Sequence, residues 1–207
     1  MRVLIACEYS GRVRDAFAKL GHDAWSCDIL PTETEGNHYE GSVLDILNDG
    51  WDLMIAHPPC TYLSNAGARF LYPKGILNQE RLAKGLLAKE FFMQLYNANI
   101  PKIAIENPIP SRVYGLPQYT QTIQPYEYGH PLQKRTCLWL KNLPKLTSTN
   151  IVNERQSTKV AGNWFNKGGK DRQKERARTF EGIADAMAKQ WGTQTSLCST
   201  AVVQVAA

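Results

Sequence analysis

The first 28 residues of this 207-residue chain read as a strand, a helix and a second strand. Apolar residues run together at positions 3–7, residues 23–27 are predicted as a second short strand, and the apolar residues of positions 12–20 lie on one side of a helix. Gly21 follows the helix as a C-cap, and Asp28 follows the second strand. A strand, a tight turn, a helix, a strand and an acidic residue make the opening unit of a doubly wound, nucleotide-binding sheet.

Strand-like apolar runs and helix-like apolar spacing continue to alternate along the chain. This alternation predicts one α/β domain over residues 1–192. Residues 141–178 are expected to form a reduced insert in this domain, and residues 193–207 a flexible tail. Residues 111–131 read as extended loop. Strands are predicted within residues 41–47 and at 53–56, 103–105 and 135–140, and helices at 79–99 and 179–191.

The apolar run at residues 53–56 is followed directly by His57-Pro58-Pro59-Cys60. Proline cannot donate to a sheet ladder, so the chain must leave the sheet at this point. Cys60 is therefore expected just beyond the carboxyl end of a strand, where open α/β sheets bind their ligands. The thiol is a candidate nucleophile, and a small buried inert cysteine is the alternative interpretation. The irregular residues 65–78 that follow indicate an active-site lid or an ordinary surface loop.

A carboxyl group is expected to meet this thiol. Glu106 follows the next predicted strand, one helix further along the chain, and parallel neighbours joined by a crossover end at the same sheet edge. One reaction uses this pair of groups. A thiolate adds to C6 of a cytosine ring while a carboxyl group holds N3, and C5 then becomes able to take a methyl group. The target base must be flipped out of the duplex or single-stranded.

Composition and cysteine spacing argue against a disulfide-rich, zinc-binding or membrane-spanning protein. The five cysteines are an odd number without Cys-x-x-Cys spacing, so we expect neither a disulfide framework nor a zinc site, and a cytoplasmic protein. No apolar stretch approaches the roughly 20 residues that a membrane span requires. The net charge of +5 is modest, but basic residues crowd into positions 167–178.

Three short motifs carry a resemblance when they are taken in order. They are His57-Pro58-Pro59-Cys60 with Ser64 four residues later, Glu106-Asn107-Pro108, and Gln133-Lys134-Arg135 after Tyr128-Gly129. In this order they resemble the DNA (cytosine-5) methyltransferase superfamily, and most closely its small phage and prophage members. The chain departs from the family pattern where His57 replaces a glycine, Thr61 a glutamine and Cys137 a second arginine.

The resemblance implies a Rossmann-like fold that uses S-adenosylmethionine, and it implies roles for particular residues. His57 is expected to be a structural or hydrogen-bonding residue rather than a base. The catalytic residues implied are Cys60, Glu106 and Arg135. Substrate binding is implied for Ser64, Asn107 and Gln133. The cofactor is expected near Glu8, Gly11 and Asp28, with Asp45 as a candidate substitute where the family has Gly-Asp and this chain has Gly41-Ser42.

The family also implies a DNA partner and a recognition domain after the Gln-x-Arg motif. Only residues 141–178 are available for that domain, which is too few for one of usual size. Sequence specificity is therefore expected to be slight or to come from a partner protein. Within the basic run, Lys170, Arg172 and Lys174 are expected to contact DNA phosphates, and a solvated helix start is the alternative.

Two competing functions remain open. An amino-methyltransferase would carry an Asp/Asn-Pro-Pro-Tyr segment, and the thiol of Cys60 occupies the place of its aromatic ring. A catalytically degenerate protein of phage origin could instead bind nucleic acid or cofactor, masking DNA or interfering with host enzymes. The eroded glycine motif and Ser42 favour this second alternative, whereas the presence of Cys60, Glu106 and Arg135 opposes it.

Overall fold

A seven-stranded, mostly parallel sheet organises the computed structural model, which describes residues 1–157 and 176–193. The spatial order of its strands is β3-β2-β1-β4-β5-β8-β6, and β8 runs antiparallel to both of its neighbours. The strands are β1 (Arg2–Ala6), β2 (Asp23–Asp28), β3 (His38–Glu40), β4 (Leu53–Ala56), β5 (Lys102–Pro108), β6 (Gln121–Ile123) and β8 (Thr136–Lys141). Two further short strands, β7 (Leu132–Gln133) and β9 (Gln156–Ser157), pair with each other.

Helices cover both faces of this sheet. They are α1 (Arg12–Ala18), α2 (Val43–Ile46), α3 (Gln79–Tyr96) and α4 (Glu181–Trp191). Alternate residues of β1 point to opposite faces, so Val3 packs in the core beneath α1 and α4, and Leu4 packs in the core beneath α3. No helix in the described part of the chain is long and apolar enough to cross a bilayer.

The sheet confirms the doubly wound α/β fold that the sequence predicts. The predicted strand at residues 53–56 is β4, and the predicted helix at 79–99 is α3, which ends three residues earlier. The single-domain boundaries stay a prediction, because residues 158–175 and 194–207 lie outside the described residues. Lys170, Arg172 and Lys174 fall in the first of these segments, and most of the predicted tail in the second.

Two local predictions are wrong for identifiable reasons. The third strand lies at His38–Glu40 rather than within residues 41–47, because Ser26 of β2 pairs in register with His38. Residues 43–46 are helical instead, and the Ser42 hydroxyl accepts a hydrogen bond from the backbone N–H of Leu44 as an N-cap does. The expected loop over residues 111–131 contains β6, which pairs with the antiparallel β8.

The register of the central strands sets the functional edge of the sheet. Ala6 of β1 pairs with Ala56 of β4, and Ala56 pairs with Ile105 of β5. The next residues along the three parallel strands, Cys7, His57 and Glu106, therefore lie in one row. This row forms the carboxyl edge at which the Cys60 turn begins.

The substitution Gly182→Ala tests how α4 docks on the rest of the fold. A Cβ at position 182 would lie 1.9 Å from the carbonyl oxygen of Tyr128, and the backbone N–H of Gly182 donates to His130 Nε2 at 3.0 Å. Overpacking against backbone should lower the free energy of unfolding by about 1–3 kcal/mol. Urea unfolding measures this loss. Lys189→Ala on the exposed side of α4 is the control, with an expected change within about 0.5 kcal/mol.

Candidate active site

The turn that carries Cys60 is fixed at both ends by backbone contacts. The N–H of His57 donates to the carbonyl of Ala6 at 2.9 Å, and the N–H of Ser64 donates to the carbonyl of Cys60 at 3.0 Å. Pro58 and Pro59 supply no N–H of their own, so a side chain completes the turn. The amide of Asn107 donates to the carbonyl of Pro58 at 3.3 Å. Cys60 is left partly exposed at the end of β4, as the sequence predicts.

His57 and Glu106 form a close pair beside this turn. His57 Nδ1 lies 3.0 Å from Glu106 Oε2, and their side chains are 8% and 18% exposed. Burial raises the pKa of Glu106, but the hydrogen bond from His57, the positive charge of Lys134 and a hydrogen bond with Thr136 outweigh it. The net pKa of Glu106 lies below its ordinary value, so this carboxyl group is ionised near neutral pH.

The pKa of the Cys60 thiol is shifted in the opposite direction, above its ordinary value. Burial, followed by the negative charge of Glu106, raises its pKa, and the nearby charges of Lys134 and Arg176 lower it only in part. The net pKa lies above the ordinary thiol value, so the resting group at neutral pH is the neutral thiol. A reaction that needs the thiolate must therefore supply an acceptor for the thiol proton.

One cavity of about 770 Å³ joins these groups to the turn after β1. Its wall includes Cys60, Glu106 and His57 together with residues 7–10. This volume is in the usual range for a small-molecule site. Two carboxylates and five basic side chains line it, namely Glu8 and Glu106 with Arg69, Arg81, Lys134, Arg176 and Arg178.

The residues predicted to bind substrate separate into two groups. Ser64 is buried and lines the cavity near Cys60, as a substrate contact would require. Asn107 is only 1% exposed, and its amide supports the Pro58 carbonyl instead of facing the cavity. Gln133 and Arg135 are exposed and are not part of the cavity wall.

Lys134 occupies the cavity in place of Arg135. Side chains alternate between the two sides of the extended segment from β7 to β8, so neighbouring positions face opposite ways. Lys134 is half-buried, acts on the charges of Cys60 and Glu106, and donates to the carbonyl of Arg176 at 3.1 Å. The catalytic role expected for Arg135 therefore has no support in this arrangement, and the cation beside Glu106 is one residue earlier.

The two predicted cofactor residues after β1 make contacts within the protein. Glu8 is 5% exposed, and its carboxylate accepts hydrogen bonds from Ser10 Oγ and from the backbone N–H groups of Val13 and Arg14. It thereby satisfies the free N–H groups at the start of α1. Gly11 has φ of 72°, and a Cβ there would lie 2.2 Å from Thr34 Oγ1. Glycine is thus required at this position because the loop that carries Thr34 packs against it, and not because a ligand needs the space.

The two remaining cofactor candidates differ in burial. Asp28 ends β2, is half-buried and accepts a hydrogen bond from the N–H of Leu30 at 3.0 Å. Burial raises its pKa, and the Leu30 N–H and His38 lower it only in part. Its carboxylate would therefore gain from further hydrogen-bond donors. Asp45 is exposed and accepts from the hydroxyl of Tyr39 at 3.3 Å.

Arginine and aromatic side chains line the cavity on the side of residues 65–78. This segment contains two 3₁₀ helices, Asn65–Phe70 and Pro73–Gly75. Arg69 lies 4.7 Å and Arg81 5.4 Å from the ring centre of Phe70, which is 52% exposed. Arg81 also donates to the carbonyl of Thr61 next to the nucleophile candidate. Arg81 could not be recognised from the sequence as a cavity residue, because it lies inside the helical pattern of α3.

Comparison with known proteins finds similar solved structures, but it shows no family. No protein-family model and no curated protein matches the sequence. A candidate DNA modification methyltransferase from an E. coli prophage is 13% identical, with a TM-score of 0.45 over 82% of this chain and 56% of its own. The methyltransferase EhMeth of Entamoeba histolytica is 16% identical, with a TM-score of 0.43 over 73% and 57% of the two chains.

The third similar structure is the Dnmt2 methyltransferase of S. pombe. It is 15% identical, with a TM-score of 0.41 over 70% of this chain and 51% of its own. The chain thus spans just over half the length of each of these three structures.

Proposed function

We propose that this chain is an S-adenosylmethionine-dependent methyltransferase that acts on C5 of cytosine in DNA. The observation that carries the proposal is the shared cavity. A thiol at the end of β4 and a carboxylate at the end of β5 line the same space as the turn after β1. A nucleophile, a group that binds N3 and a place for the methyl donor are the three requirements of this reaction.

The chemistry begins with the thiolate of Cys60 forming a bond to C6 of a flipped or unpaired cytosine. Glu106 holds N3, which gains a proton as electron density moves away from the C5–C6 double bond. C5 then takes a methyl group. Loss of the C5 proton to solvent water, return of the N3 proton to Glu106 and departure of the thiolate restore the double bond and free Cys60 for another turnover.

Asp28 is the residue that best fits the nucleoside part of the cofactor. A half-buried carboxylate with a raised pKa at the end of the second strand is suited to accept hydrogen bonds from ribose hydroxyls. Bound S-adenosylmethionine would supply an electrophilic methyl group on sulfur. The side chains of Glu8 and Ser10 would shape the wall on which it lies.

Nucleic acid fits the charge of the cavity. The five basic side chains around it attract a phosphate backbone, and the exposed Phe70 ring offers a surface on which an unpaired base can stack. Lys74 and Arg112 provide further positive charge on exposed positions of the described chain. A partner that supplies sequence specificity, and phosphate contacts from Lys170, Arg172 and Lys174, remain proposals from the sequence.

The test is incubation of the protein with labelled S-adenosylmethionine and mixed single- and double-stranded DNA, followed by nucleoside mass analysis. Labelled 5-methylcytosine is the expected product. Label on an exocyclic amino group would favour the amino-methyltransferase. Binding of cofactor and DNA without any labelled nucleoside would favour the non-catalytic binding protein.

Asp28→Asn is expected to weaken binding of S-adenosylhomocysteine by about tenfold or more. The amide keeps the shape of the carboxylate but loses charge-assisted acceptance from the ribose, which is worth roughly 1.5–3 kcal/mol. Calorimetry measures the affinity, and the thermal stabilisation by ligand should fall in parallel. Asp185→Asn on the exposed side of α4 is the matched control. Equal affinities for wild type and Asp28→Asn would remove Asp28 from the cofactor site.

A further inference from the structure

We propose that the substrate is single-stranded DNA and that Arg69, Phe70 and Arg81 bind the nucleotide next to the target cytosine. This inference rests on the proposed function and deepens it, because it names the strand state of the substrate and a second subsite. Its basis is a group of side chains that continues the cavity wall beyond Cys60. We call it the arginine–aromatic cluster, and its members are Tyr62, Arg69, Phe70 and Arg81.

Arg81 joins this cluster to the nucleophile candidate. Its Nη2 donates to the carbonyl of Thr61 at 3.0 Å, and Thr61 directly follows Cys60. The same guanidinium lies 5.0 Å from the ring centre of Tyr62 and 5.4 Å from that of Phe70. One side chain therefore spans the distance from the Cys60 turn to Phe70, which places Phe70 within reach of a nucleotide that flanks the target.

Close packing holds the guanidinium of Arg81 in this position. A Cβ at Gly67 would lie 2.7 Å from Arg81 Nη2 and 2.9 Å from the carbonyl oxygen of Thr61, so glycine leaves the space in which the two groups meet. A guanidinium has five N–H donors, and within the described residues Arg81 uses one of them, toward Thr61. The remaining donors suit a phosphate group, because the planar fork matches its oxygens.

The charge of the cluster also suits a nucleic-acid strand. Arg69 and Arg81 are both positive and both line the cavity. The two carboxylates of the cavity wall are engaged elsewhere, since Glu8 accepts from backbone N–H groups of α1 and Glu106 pairs with His57. A polyanionic strand is therefore attracted to this part of the wall.

Phe70 supplies a surface for a base. The residue is 52% exposed although it lies in the cavity wall, and the exposed Arg69 lies 4.7 Å from its ring centre. Aromatic rings and guanidinium planes are the surfaces on which proteins stack unpaired bases. A base at this position would have its phosphate beside the arginines of the cluster.

Stacking on Phe70 favours a strand without a complement. A base whose face rests on the ring has left its own helical stack, and the cytosine at Cys60 has left it too. In a duplex both bases would have to be unpaired and unstacked, whereas this cost is least in a single strand. Stacking also tolerates any sequence, which agrees with the small number of residues, 141–178, that is available for a recognition domain.

The test is the affinity of the full chain for a fluorescein-labelled oligonucleotide that contains cytosine, either single-stranded or annealed to its complement. We expect the wild type to bind the single strand about tenfold more tightly at one fixed salt concentration. Phe70→Ala should weaken single-strand binding by about tenfold, the usual loss for one base–aromatic stack, and duplex binding by about twofold or less. Unchanged duplex binding also shows that the variant is folded. Phe70→Tyr retains the ring and should behave as the wild type does.

Salt dependence separates stacking from phosphate binding. Arg69→Ala should lower the log–log salt slope on the single strand by about 0.7, the value for one lost phosphate contact. Phe70→Ala should leave the slope unchanged, because a stacked base releases no counterion. Two variants outside the cavity wall are the matched controls and should match the wild type. They are Tyr72→Ala, at a similarly exposed ring of the same segment, and Lys189→Ala, at an exposed cation on α4.

A photochemical readout locates the flanking base. Irradiation of a single strand that carries 5-iodouracil next to the cytosine, on either side, should attach the strand to Phe70, and peptide mass analysis identifies the residue. Equal affinities for single strand and duplex, an unaltered affinity in Phe70→Ala, or no attachment at Phe70 would each overturn the inference. A retained single-strand preference without any methyl transfer would overturn the proposed function alone, so the two failures are distinguishable.

Discussion

Replacement of Cys60 by serine is expected to abolish methyl transfer, with a loss of about 10⁴-fold or more, as removal of a catalytic nucleophile commonly causes. A hydroxyl in this position has no base strong enough to make it a comparable nucleophile, whereas a thiolate is the most reactive group available near neutral pH. Affinity for S-adenosylhomocysteine should stay unchanged, because the proposed cofactor residue Asp28 ends β2, two strands away from β4 in the sheet. Nucleoside analysis and calorimetry measure the two quantities.

Covalent trapping gives the same prediction a direct readout. DNA that contains 5-fluorocytosine cannot release the C5 substituent, so the wild type should remain attached through Cys60, and peptide mass analysis should identify this residue. Cys60→Ser should form no such complex. Cys198→Ser removes a different thiol and serves as the control, with full trapping expected. Full activity of Cys60→Ala would exclude the covalent mechanism and leave a direct transfer to the base.

The sequence predicts those features that depend on short, local rules. Apolar residues at 53–56 followed by two prolines place a strand end, and β4 lies there. The alternation of strands and helices predicts a parallel sheet, and the parallel register of β4 and β5 brings the segments of Cys60 and Glu106 to the same edge. The end of β4 follows from the chain's inability to continue a ladder through Pro58 and Pro59.

Features that depend on partners distant in sequence could not be predicted in the same way. The cofactor is expected near Gly11 from the sequence, but Thr34 and the buried guanidinium of Arg14 pack against this turn. The pairing of His38 with Ser26 decides the third strand, although the segment around His38 is polar and has no strand pattern of its own. These contacts depend on the path of the loop between β2 and β3. The spacing of apolar residues does not predict that path.

The choice between Lys134 and Arg135 shows a different limit. The motif alone points to the arginine, but the alternation of exposed and buried side chains from β7 to β8 places the lysine in the cavity. A shift by one residue in an extended segment exchanges its two faces. The phase of that alternation is fixed by the pairing of Thr136 with Pro108, a contact between β8 and β5.

Glu106→Gln is expected to lower the rate of the chemical step by about 10²–10⁴-fold, the usual contribution of a positioned proton donor. The amide has nearly the same volume and can still accept from His57 Nδ1, so the fold and the orientation of the side chain should persist. It cannot carry a proton to N3, and the adduct with C6 loses its stabilising partner.

DNA affinity should change much less than the rate in this variant, because most binding free energy comes from phosphate contacts elsewhere on the surface. Single-turnover kinetics and a binding titration at one fixed salt concentration measure the two effects. Glu80→Gln, an exposed carboxylate on α3 that pairs with Lys84, is the matched control and should leave both values unchanged. An equal loss in rate and affinity would make Glu106 a structural partner of His57 and would remove it from the chemistry, because a group that acts only in the reaction cannot weaken binding of the substrate to the same extent.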